Sequence, residues 1–99
     1  MLRFGESIMR GVKSSAGKLY IETEHGEAVL LYRLEGGVLS VYHTFTPPEE
    51  RGRGLAERLA LEAVELAKRK GLKIKPECSY MEAFLQKHKE FRKYEVAPR

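Results

Sequence analysis

Residues 43–59, "HTFTPPEERGRGLAERL", hold the point where the chain changes character. On their N-terminal side, β-branched and aromatic residues read as a strand; on their C-terminal side, leucine and alanine recur at helical spacing. Between the two, Pro47 and Pro48 cannot donate to a sheet ladder. Gly52 and Gly54 then place bare backbone at the mouth of a long helix that has no other glycine. Glycine destabilises helices, so its position here points to a conformation or a close approach that a side chain would forbid. A strand, a turn, a glycine-rich loop and a helix start aim successive amide N–H groups at an anion, and the helix dipole adds partial positive charge.

Upstream, "KLYIETE" (18–24), "EAVLLYRLE" (27–35) and "VLSVYHTF" (38–45) predict an antiparallel meander with tight turns at His25-Gly26 and Gly36-Gly37. In the third run Leu39, Val41, His43 and Phe45 share one face, and Val38, Ser40, Tyr42 and Thr44 the other. Both faces are largely apolar, which predicts a central strand with His43 turned inward. Downstream, the pattern predicts a helix over about residues 50–70, ended by Lys68, Arg69, Lys70 and Gly71, with Glu57, Glu62 and Glu65 largely off its apolar rows. "LKIKP" is a fourth strand stopped by Pro76, and "SYMEAFLQKHKEF" a second helix with Ser79 as its candidate cap. Residues 1–17 read as a weakly ordered arm or edge strand before a single domain over 18–99.

Composition narrows the function. Ninety-nine residues, 42% of them hydrophobic, support one core. No apolar run reaches the length of a membrane span and charge interrupts the first residues, so the expectation is a cytoplasmic protein. The net charge of +4 concentrates in residues 51–75, where Arg51, Arg53, Arg58, Lys68, Arg69, Lys70, Lys73 and Lys75 face only Glu57, Glu62 and Glu65. Such a field suits a nucleotide phosphate or nucleic acid, and equally an ordinary solvated helix face. With no tryptophan and no RNP-like motif, a nucleic-acid-binding domain ranks last among the functions considered. The absence of Asp and Asn and the single Gln fit a bias reported for proteins of high-temperature organisms. The lone Cys78 excludes an intramolecular disulfide and a CxxC site, leaving a packed small residue or a reactive thiol. His43, Cys78 and His88 contain no local ligand pair, so no metal is expected.

Two familiar phosphate loops fail here. No Lys-Ser or Lys-Thr follows Gly54, and the third glycine of a dinucleotide fingerprint is Glu57. Arg51-x-x-Gly54-x-Ala56 instead fits the (Q/R)xxGx(G/A) signature of GCN5-related N-acetyltransferases. Residues 19–96 resemble the small single-domain members of that superfamily, through "HTFTPPEERGRGLAERL", "GLKIKPECSY" and "KHKEFRKY". The group shows His-Thr-x-Val-Pro, Arg-Gly-x-Gly, Pro-x-Cys-Ser-Tyr and His-x-Glu-Tyr in this order; Thr46 replaces the valine and Phe91 the tyrosine.

The resemblance implies an α+β fold, with a mixed, mostly antiparallel sheet packed on two main helices and truncated relative to full-size members. It implies acetyl transfer from acetyl-coenzyme A to an amine, by direct attack in a ternary complex. Arg51, Gly52, Arg53, Gly54, Leu55 and Ala56 would cradle the pyrophosphate, while Thr44, Phe45 and Thr46 would lie beside the acetyl group. Ser79 and His88 join the expected cofactor contacts, against helix capping for Ser79 and a structural tie for His88. Cys78 is a candidate proton donor or acetylated nucleophile, His43 a proton relay and Tyr80 a proton donor, each set against a packing role. Glu49 and Glu50 are loop carboxylates that could serve as base. The minimal loops suggest an open site for a peptide or protein lysine or amino group, on a monomer or weak homodimer. A coenzyme A-binding module without turnover is the rival reading.

Overall fold

The computed structural model describes residues 11–96. Residues 1–10 of the expected arm and residues 97–99 lie outside that range. The elements run β1 (Lys13–Ser15), β2 (Lys18–Thr23), β3 (Gly26–Glu35), β4 (Val38–Phe45), a 3₁₀ turn (Pro48–Glu50), α1 (Leu55–Lys70), β5 (Lys73–Pro76), α2 (Ser79–Lys87) and a second 3₁₀ segment (Lys89–Tyr94).

The strands form one sheet in the order β1-β2-β3-β4-β5. The first four are antiparallel neighbours, and β5 lies parallel to β4. A parallel pair cannot be joined by a tight turn, and α1 is the crossover between β4 and β5. The protein is therefore an α+β domain with a mostly antiparallel sheet, as its strand and helix patterns require. The β2–β3 turn falls one residue earlier than its sequence suggests. Glu24 and His25 form the two-residue loop, while Gly26 already pairs with Thr23.

One sheet face is built from Leu19 and Ile21 of β2, Ala28 and Leu30 of β3, Leu39 and Val41 of β4 and Ile74 of β5, all buried. Onto it α1 lays Leu55, Leu59, Ala60, Ala63, Val64 and Ala67. The alanines leave no side-chain bulk between helix and sheet, and each fully buried leucine contributes about 1.5–3 kcal/mol by leaving water. Glu62 departs from the expected solvated face: it is 2% exposed, with Arg69 Nη2 at 3.7 Å. From α2, Met81, Phe84 and Leu85 complete the core, packed against α1 and the β4–β5 end of the sheet. The chain ends by bridging back to β5, where Val96 N–H donates to Ile74 O at 2.8 Å. Among the described residues, no helix is long and apolar enough to cross a membrane.

Candidate active site

The glycines stand before α1, not inside it. After Pro48–Glu50 the chain makes a short loop, and α1 begins at Leu55 instead of near residue 50. Gly52 and Gly54 both take the left-handed conformation, at φ 83° and 77°. Gly54 is the N-cap residue and provides no side-chain cap. The first-turn N–H groups of a helix have no intrahelical partner, so this helix presents them bare to its mouth. Arg51 closes the loop from the other side, its Nε donating to Thr46 O at 3.2 Å.

Opposite the loop the sheet opens. Pairing between β4 and β5 ends at Val41 with Pro76, and the Glu77 N–H donates to Val41 O at 2.8 Å. Strand β4 continues to Phe45 without that neighbour. At the same place β4 bulges: Leu31 pairs with His43 and Tyr32 with Val41, leaving Tyr42 as the extra residue. The bulge resets the alternation, because Thr44 now pairs with the buried Leu30 and joins the helix side of the sheet. His43 is thereby turned out to solvent, which overturns the expectation of an inward histidine. Period-two reasoning carries through a strand only while its register is unbroken.

Between loop and open strand lies a cleft of about 430 Å³, lined by Thr44, Phe45, Thr46, Arg51, Gly52, Gly54, Leu55, Ala56 and Tyr80, with Glu50 and Glu57. Nine expected cofactor-binding and catalytic positions, with the candidate base Glu50, thus converge, although they come from a strand, a loop and two helices. Arg53 does not line it; its Nη1 turns to Glu50 Oε1 at 2.8 Å and borders a neighbouring hollow. His43, Cys78, Ser79 and His88 also stand outside the cleft lining. A hollow of about 450 Å³ between β1 and α1, which includes Val12, Tyr32 and Arg69, holds none of the motif residues.

Cys78, and not Ser79, caps α2: its Sγ accepts the Met81 N–H at 3.4 Å, and Ser79 is an exposed first-turn residue. That cap places Tyr80 in the first turn, where its ring stacks on Phe84 with centroids 6.4 Å apart. Burial, reinforced by the Glu57 carboxylate and Cys78, holds the Tyr80 hydroxyl above the ordinary tyrosine value, so at neutral pH it keeps its proton. His88 closes α2 and packs on Phe84 and Phe91, at 4.5 and 5.9 Å between centroids. Its Nε2 is 3.2 Å from Glu57 Oε2, yet without hydrogen-bonding alignment, so the contact packs the end of α2 against the first turn of α1.

Sequence reading missed the role of Glu50. It is 3% exposed and accepts from His25 Nδ1 at 2.7 Å as well as from Arg53. The His25 hydrogen bond, helped by Arg53 and opposed by burial, holds its carboxyl below the ordinary value. Its partner His25 lies on the β2–β3 turn, so "TPPEE" carries no local signal of the pairing.

The family description GCN5-related N-acetyl-transferase matches residues 18–94, more than three quarters of the chain. The chain belongs to the GCN5-related N-acetyltransferase family. Protein NATD1 of Homo sapiens and of Bos taurus are each 34% identical to it over 65 residues, or 65% of this chain. The chain spans 58% of the length of those relatives. The solution structure of a GCN5-like protein from Staphylococcus aureus superposes with a TM-score of 0.70, covering 93% of both chains at 23% identity. That likeness shows that the two chains share a fold over nearly their whole lengths.

Proposed function

We propose that this N-acetyltransferase domain binds acetyl-coenzyme A in the cleft and transfers the acetyl group to an amine, of a peptide or protein lysine or amino group. The observation that carries this is the uncapped start of α1, with Gly52 and Gly54 left-handed, facing the open end of β4 and Tyr80. The loop has room for a diphosphate: a Cβ built on Gly52 or Gly54 meets nothing within 4 Å, and both glycines line the cleft. Residues 51–56 hold the diphosphate through backbone N–H groups, and the β4 end with Thr44, Phe45 and Thr46 lies along the acyl arm.

When bound, acetyl-coenzyme A supplies an activated acetyl thioester. Tyr80, kept protonated, gives its proton to the sulfur as the C–S bond breaks, and regains one from the amine nitrogen that forms the new C–N bond. Cys78 acts one step back: by capping α2 it positions Tyr80, in preference to the role of acetylated nucleophile. The Arg53 side chain serves the loop and not the diphosphate.

Calorimetric titration of acetyl-coenzyme A tests the reading without any guess at the acceptor. Saturable binding that is lost in Gly54→Trp, followed by acetylation of members of a peptide library, is the expected result. Binding without turnover of any amine points to the module without catalysis; no binding up to millimolar ligand refutes the reading.

A further inference from the structure

The mouth of the cleft contains a group that at first sight does not belong there. A buried carboxylate, Glu50, lines the space in which an anionic diphosphate would bind. Left unpaired, a buried charge is costly and would repel that ligand. Two donors of different origin offset it: Arg53 from the glycine loop itself, and His25 from the β2–β3 turn, 25 residues away in sequence. The His25 side is built to hold this position. Its backbone N–H donates to Thr23 Oγ1 at 3.1 Å, and that hydroxyl donates to Gly26 O at 2.6 Å. The turn also lies close to the loop's leading proline, for a Cβ added to Gly26 would come within 3.7 Å of Pro47 Cγ.

We infer that Glu50, clasped between His25 and Arg53, is the positioning residue that holds the glycine loop in its anion-binding form, and that the β2–β3 turn, through His25, sets the loop's affinity for coenzyme A. The inference rests on the acetyl-coenzyme A reading given above. Other charged groups around the clasp are few: Glu24 Oε2 lies 3.8 Å from His25 Nε2, and Glu22 and Arg58 line the adjoining hollow. Hydrogen bonds to charged groups are worth more than neutral ones, and loss of the His25 donor leaves Glu50 charged and half satisfied against the ligand.

The test uses the whole chain carrying His25→Ala, His25→Asn or Glu50→Gln, with ¹⁵N amide spectra and calorimetry against coenzyme A. His25→Asn retains a donor near the Nδ1 position, and Glu50→Gln removes the charge while keeping an acceptor for Arg53. His25→Ala should shift the amide signals of residues 51–55 and weaken coenzyme A binding about tenfold. His25→Asn should restore most of both, and KM for acetyl-coenzyme A should rise in His25→Ala with kcat little changed. A general loss of stability would lower the melting temperature without this split or this rescue. His25→Ala with unmoved loop amides, or with wild-type affinity, overturns the inference. If the wild-type protein itself fails to bind coenzyme A, the acetyl-coenzyme A reading falls instead, and the loop amides still report on the clasp.

Discussion

Gly54→Ala and Gly37→Ala form a matched pair that separates backbone strain from function. The two glycines share nearly the same left-handed conformation, at φ 77° and 78°, and an added Cβ meets nothing within 4 Å at either. An alanine in this conformation costs ~1–2 kcal/mol whatever its surroundings. In the β3–β4 turn that cost has one outlet, stability, so Gly37→Ala should lower the melting temperature by about 4–16 °C and leave coenzyme A affinity alone. At the cleft the cost has two outlets. If the loop stays left-handed, stability falls and the new methyl projects into the space that the diphosphate takes. If the loop relaxes to negative φ, stability recovers, but ligand binding must restore the strained form and Kd rises about 5- to 30-fold. Thermal melts and calorimetry on both variants decide the matter. Wild-type affinity in Gly54→Ala would refute the assignment of the loop, whatever happens to its melting temperature.

The side chains of the cleft carry predictions of their own. Tyr80→Phe should lower kcat by about 10²-fold with coenzyme A affinity kept, and the alkaline limb of the wild-type pH–rate profile should lie above the ordinary tyrosine value of about 10. Cys78→Ala should cost about 0.5–2 kcal/mol of stability as a lost helix cap and only a few-fold in kcat, measured by denaturant melts and steady-state kinetics. Glu50 titrates below its ordinary value in the folded protein, so its contribution to stability is present above the unfolded-state value and fades as pH falls towards the folded one. Acid melts should therefore show a steeper loss in wild type than in Glu50→Gln over that window. Ala63→Leu, at a fully buried site between α1 and the sheet, should destabilise by about 1–3 kcal/mol through overpacking.

What the sequence reveals here depends on how local the physics is. The β-strands, the crossover helix and its capping glycine follow from patterns spanning a few residues; the helix ends where its pattern predicts and starts about five residues later, after the glycine loop. The glycine loop was legible for the same reason: Gly52 and Gly54 announce a conformation that only their own backbones need satisfy. His43 was misread because a bulge at Tyr42 inserts one residue against β3, and strand alternation contains no sign of where a register breaks. The helix cap moved from Ser79 to Cys78, since a thiol one residue earlier reached the Met81 amide that a hydroxyl is usually chosen to meet. Glu50 and His25 lie beyond any local rule, because each looks like a surface residue until the β2–β3 turn folds onto the loop.

Whether the cleft between the glycine loop and the open end of β4 is where acetyl-coenzyme A binds can be read directly from a ¹⁵N amide titration of the wild-type protein with that ligand. The largest saturable shifts should fall on residues 52–57 and 44–46, with the β3–β4 turn and the hollow between β1 and α1 unmoved. Shifts centred on that hollow, or none at millimolar ligand, would contradict the account.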